Sequence, residues 1–218
     1  AWVQQHAISA HLVPTYYINA PGVGVFYPLF LFYGGTLFAA VGAVAAALGG
    51  HVEAVYVGAI LLATASAYGG LLWLARQAGA RSWMAHAPAL TFTASAIYIS
   101  NLYGYGAWPE FIATSMIPLI LASGWSLARA PRIELAPATL FVIAVVFFAG
   151  SHNITLVLGV ATTVIGFGCL RIAVGPTLSA VSPRRAIGLA ALFLCAAAVD
   201  AWYLLPDLLL ASDTHIAH

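Results

Sequence analysis

A chain of 218 residues that is 63% hydrophobic and only 6% charged, with a mean hydropathy of +0.98, lies outside the composition of soluble domains and holds several apolar runs long enough to cross a roughly 30 Å hydrocarbon layer. The formal net charge is +1, from seven Arg, no Lys and six acids, which excludes nucleic-acid binding driven by phosphate neutralisation. An all-α, polytopic transmembrane helix bundle is the fold class this composition predicts.

In chain order, residues 1–54 read as an external loop carrying a re-entrant or interfacial hydrophobic segment, and residues 55–218 as a single transmembrane helical core. The first twenty residues are polar and aromatic and show neither Met nor a cleavable signal peptide, so they read as an internal part of a longer chain. Six spans follow, over residues 55–75, 83–99, 111–127, 135–150, 154–170 and 186–205, each bounded by Gly, Pro or charge. Arg76 and Arg81 follow the first span, Arg129 and Arg132 the third, and Arg171, Arg184 and Arg185 the fifth. Every Arg therefore falls in alternate loops, the pattern of cytoplasmic loops under the positive-inside rule. The opposite loops carry Glu53, Glu110, Asp207 and Asp213 with six of the seven histidines. That parity makes residues 23–48 a segment that enters and returns, or lies along the interface, with Gly34-Gly35, Gly42 and Gly49-Gly50 permitting a bend.

Few residues in such a chain can carry chemistry. Glu110 follows Pro109, a pair suited to the first turn of a helix, where proline has no N–H to waste and the dipole favours a carboxylate. Tyr103, Tyr105 and Trp108 precede it, alternating with Gly104 and Gly106; residues 100–108 read as an irregular loop at a membrane edge, and the aromatic rings as a headgroup belt or a cavity lining. His152 and Asn153 interrupt an apolar stretch, as a polar turn or as a site close to Glu110. Asp200 is the one acid inside a span, four residues from the helix end that Pro206 marks and within reach of water. The tail offers Asp213, His215 and His218, a spacing that suits a divalent metal ion or a solvated loop. Cys169 and Cys195 lie in apolar runs and read as small buried hydrophobes rather than a disulfide.

Four stretches resemble the membrane core of GT-C type glycosyltransferases, which take sugars from polyprenyl-phosphate donors: Phe26-Tyr27-Pro28-Leu29; the run GGLLWLARQAGARSWMAHAPALTFTASAIYISNLY; GAWPEFIATSMIPLIL, in which Gly106, Ala107, Glu110, Pro118 and Leu119 match; and Ser151-His152-Asn153. The resemblance implies transfer of a sugar from a polyprenyl-phosphate donor to a glycan or lipid acceptor at the extracytoplasmic face of a bacterial inner membrane. It implies a substrate site lined by Glu110, His152, Asn153, Tyr103 and Tyr105, and leaves the catalytic residues unidentified. Tyr105 stands where members often carry Arg. No acid occurs in residues 1–52, so the family's catalytic Asp is expected upstream of Ala1. Without Lys or Arg on that face, the charge of the leaving phosphate falls to a divalent metal or to His. Two other classes stay open: a transporter or flippase with a polar path through Asp200, Glu110 and His152, and a noncatalytic subunit packing its small residues against membrane-protein partners.

Overall fold

The computed structural model describes all residues except Leu12, Tyr17, 21–24, 28–29, 31–32, Tyr105, Pro131, 175–181 and 211–218. Residues 1–54 are more ordered than a loop. Helix α1 (Trp2–His11) packs on α2 (Gly35–Ala47), and two three-residue antiparallel strands, β1 (Ile18–Ala20) and β2 (Val25–Tyr27), lie between them in sequence. Gln4 holds this segment together: it is fully buried, its amide N–H reaches the Thr15 carbonyl at 2.7 Å, and its oxygen accepts the Thr15 N–H at 2.9 Å. Gly42 is where α1 meets α2, since a Cβ there would stand 2.7 Å from the Gln4 side chain. With 13 residues α2 is about 20 Å long, short of the bilayer core.

Three helices among the described residues are long and apolar enough to cross a membrane: α3 (Val52–Gln77), the central α6 (Trp108–Arg129), and residues 153–172 of α8 (Asn153–Val174); α2 and α7 (Leu135–Ala149) are shorter apolar helices. Two of the expected spans are broken. Residues 83–99 become a 3-10 turn (Ser82–Ala85), α4 (His86–Thr93) and α5 (Ala96–Tyr103). The break sits at Ser95, whose hydroxyl caps α5 by accepting the Tyr98 N–H at 3.3 Å. Residues 186–205 divide into α9 (Pro183–Ala198) and α10 (Ala201–Leu210), which turn at Val199 and Asp200; α10 runs through Pro206 rather than ending there. The irregular loop expected over 100–108 is shorter, because α5 continues to Tyr103 and α6 starts at Trp108.

Side-chain contacts fix the directions of the helices. Tyr56 of α3 meets Trp108 at the start of α6, Gly70 meets Leu119, and Gln77 donates to the Ala122 carbonyl, so α3 and α6 run parallel. Gly159 approaches Ile117, Gly166 approaches Leu121, and Phe167 approaches Gly124, so α8 is parallel to α6 as well. Gly70 is indispensable to the first of these pairings: a Cβ there would lie 2.7 Å from the backbone of Pro118 and Leu119, which no side-chain movement relieves. Helix α6 is the hub, buried along its whole length from Phe111 to Ala128, with Phe111, Ile112, Met116, Ile120, Phe141, Val145 and Phe148 at the centre of the core. Cys169 and Cys195 are free thiols, but they are exposed on the outside of the bundle rather than buried in it.

Candidate functional site

Because α3, α6 and α8 are parallel, their last turns share one end of the bundle, and that end collects Arg76, Arg129 and Arg171; Arg185 joins them by donating to the Ala128 carbonyl at 3.4 Å. The opposite end takes the helix starts, with Glu53, Glu110 and His152, and also receives Asp200. Among the described residues, Glu53, Glu110 and His152 thus lie at the end opposite Arg76, Arg129 and Arg171, as their alternation along the sequence suggests.

At this acid end, Trp108 and Pro109 open α6 and put Glu110 in its first turn, the position a carboxylate takes beside free backbone N–H groups. The buried Asn101 of α5 donates to Glu110 Oε1 at 3.4 Å. Trp108 is held by its indole N–H, which donates to the Leu102 carbonyl at 3.1 Å, and by the Tyr56 ring at 4.8 Å. Phe38 also stacks on Tyr56, at 6.3 Å and nearly parallel, so that Phe38, Tyr56 and Trp108 are linked ring to ring at the start of α6.

His152 sits in the turn between α7 and α8 and is 9% exposed. Its Nδ1 accepts the Thr155 backbone N–H at 3.2 Å and faces the Thr155 hydroxyl at 2.8 Å. An acceptor at Nδ1 fixes the neutral tautomer with the proton on Nε2, an assignment made from the hydrogen bonds. Burial pushes the imidazole below its ordinary pKa, and the negative charge of Glu110 opposes that shift. Tyr33 pairs with His152 as an isolated antiparallel bridge, with ring centroids 5.7 Å apart. Asn153 is the first residue of α8. Tyr103 ends α5 and is 82% exposed, while Tyr105, Asp213, His215 and His218 lie outside the described residues.

Asp200, expected to reach water, is fully buried. The indole N–H of Trp202 donates to Thr36 Oγ1 at 3.2 Å, and the Thr36 hydroxyl donates in turn to Asp200 Oδ1, while Oδ2 has no partner among the described residues. The pocket closes because residue 150 is glycine: a Cβ there would be 2.5 Å from both Asp200 Oδ1 and Thr36 Cβ. Nearby, Tyr203 Oη donates to the Ala149 carbonyl at 3.1 Å and the Leu37 N–H to the Gly150 carbonyl at 3.2 Å. Sequence reading pointed to neither Thr36 nor Gly150. The remaining signal was a threonine after Gly34-Gly35, which nothing local connects to a residue 164 positions away.

No protein-family model, curated protein or solved structure matches the chain. Among the described residues no three of His, Cys, Asp and Glu come together in a way that holds a metal ion.

Proposed function

We propose that the chain is part of an integral membrane glycosyltransferase that takes a sugar from a polyprenyl-phosphate donor, with Glu110 and His152 lining the donor site at the acid end. The observation that carries this reading is the placement of both side chains at helix starts on one end of a bundle whose Arg residues gather at the other end. A sugar leaving a lipid phosphate needs hydrogen-bond donation to the phosphate oxygens, and the neutral His152 keeps its Nε2 proton for that purpose because Thr155 occupies Nδ1. The acceptor hydroxyl needs a carboxylate base. Glu110 is only half-buried, whereas Asp200 is sealed from water by Thr36 and Gly150.

In this reading the Arg-bearing end is cytoplasmic, α2 with its preceding segment is interfacial or re-entrant, and the membrane is a bacterial inner membrane. The test is transfer from a panel of lipid-linked sugars by the purified full-length protein. Loss of transfer, by about a hundredfold or more, is expected in Glu110→Ala and His152→Ala, the scale of removing one positioned donor or proton-transfer group. Undiminished transfer in both variants would defeat the assignment of the site, and absence of transfer from every donor would defeat the reaction class.

One observation favours a second reading, a proton-coupled carrier centred on Asp200: a buried carboxylate with an unpartnered oxygen is an unusual group for a membrane core. Proton uptake by reconstituted vesicles that disappears in Asp200→Asn, with sugar transfer absent, would select it.

A further inference from the structure

The start of α9 sets two guanidiniums side by side. The Ser182 hydroxyl accepts the Arg185 N–H at 3.4 Å and Pro183 takes the first helical position, so Arg184 and Arg185 fall in a first turn that contains no acid. Cations in that turn lie against the positive end of the helix dipole, where they are disfavoured. Arg132, just beyond the end of α6, joins them in lining one groove of about 480 Å³ between the end of α6 and α9. Every other described residue lining the groove is apolar, and the lining runs through Leu189 and Leu192 as far as Cys195. Glu134, the acid nearest in sequence, does not line it. Arg132 and Arg184 are exposed, while Arg185 is half-buried with one N–H on the Ala128 carbonyl at 3.4 Å. Three like charges on one apolar groove repel one another and call for an anion.

We propose that this groove seats an anionic phospholipid, with its phosphate among Arg132, Arg184 and Arg185 and one acyl chain along α9 as far as Cys195. Charge and length together select this occupant. Residues 184, 188, 191 and 195 recur at helical spacing and share one face of α9. The eleven residues from Arg184 to Cys195 cover about 16 Å at 1.5 Å per residue. That is half of the roughly 30 Å hydrocarbon core, the depth of one leaflet, with the cations at its headgroup end. The groove is open from the side: Gly188, Ala191 and Cys195 are exposed, and a Cβ on Gly188 would have nothing within 4 Å. A free phosphate would leave the apolar length uncovered, and a zwitterionic lipid brings no net charge to the three Arg. Phospholipid is also the anion that a leaflet supplies in bulk, and basic pockets between membrane helices bind such headgroups. The site lies at the end away from Glu110 and His152, and it rests on the membrane reading of the bundle but not on sugar transfer.

The test is native mass spectrometry of the delipidated full-length protein titrated with phosphatidylglycerol or with phosphatidylcholine of the same acyl chains. One phosphatidylglycerol per chain is expected, half-occupied at a concentration about 25-fold below that of phosphatidylcholine, from about fivefold for each of the exposed Arg132 and Arg184. The double variant Arg132→Gln with Arg184→Gln should lose that ratio while binding phosphatidylcholine as before. Gly188→Leu, which fills open space and keeps every charge, should weaken both lipids by on the order of tenfold, the loss of roughly two buried methylenes, and preserve the ratio. All three positions are exposed, so the fold is expected to survive each change. Equal half-occupancy by the two lipids, or a ratio unmoved by the double variant, overturns the headgroup assignment. Binding unmoved by Gly188→Leu overturns the chain seat. Displacement of phosphatidylglycerol by inorganic phosphate alone, tighter retention of a prenyl phosphate, or a dimer of the chain in place of bound lipid would each overturn the phospholipid as occupant.

Discussion

The two ends of this bundle use polar residues in opposite ways. At the acid end they are turned inward and joined across long sequence separations: Trp202 to Thr36 to Asp200, Tyr203 to Ala149, Tyr33 to His152. At the arginine end the Arg side chains stay exposed or half-buried and reach carbonyls of adjacent helices, as Arg129 does with Gln77 at 3.3 Å and Arg185 with Ala128 at 3.4 Å. The difference follows from what each group costs to bury. A guanidinium on a long stem reaches the headgroup region and keeps its hydration, whereas a hydroxyl, indole or short carboxylate near a helix break must find its partner inside the protein. The acid end is consequently the part of the molecule whose geometry is over-determined, and small changes there should be felt most.

The contrast can be broken most severely at Gly150. Gly150→Val drives a methyl group into Asp200 Oδ1 and Thr36, 2.5 Å from the ideal Cβ position, and is expected to destabilise by about 3 kcal/mol, the upper part of the overpacking range, read as a lowered midpoint of thermal unfolding in detergent. Thr36→Val keeps the volume but removes the hydroxyl that links Trp202 to Asp200. A loss of about 1–3 kcal/mol by the same measurement is expected, since the Asp200 carboxylate stays buried and loses its partner.

A smaller, pH-dependent effect belongs to His152. Its folded pKa is depressed by burial, so at mildly acidic pH the unfolded chain binds the proton that the folded chain resists. The stability from this group is full above its ordinary value of 6.5 and declines as the pH falls through 6.5 toward the folded pKa. Glu110→Gln removes the charge that opposes the depression, so NMR titration of the imidazole should show His152 titrating at still lower pH; an unchanged titration would separate the two residues. The smallest change is expected near the arginine end. Gly188 lies in α9 with nothing within 4 Å of a Cβ built on it, so Gly188→Ala should raise stability by up to about 1 kcal/mol through helix propensity alone. A large loss there would mean that this face is packed against something.

Much of this was legible before any coordinates. The run from Val55 to Ala75 gives α3, Pro109-Glu110 gives the first turn of α6, and alternate placement of Arg gives two chemically distinct ends. The breaks at Ser95 and Asp200 were not legible. In a chain this apolar, a continuous hydrophobic run looks the same whether it forms one helix or two, because lipid-facing and protein-facing positions are both apolar and leave no amphipathic phase to interrupt. The same lack of phase hid Cys169 and Cys195, which face outward with the same hydrophobic surroundings that a core position would have.

By itself, then, the sequence determined that helices long and apolar enough to cross a membrane would form and that the Arg residues would follow their ends, since hydropathy and the cost of burying charge act on local stretches. Only the tertiary structure decided which polar groups meet. Gly70, Gly150 and Gly159 let helix backbones and side chains approach closely, and that approach, a property of pairs of distant segments, brought Asp200 to Thr36.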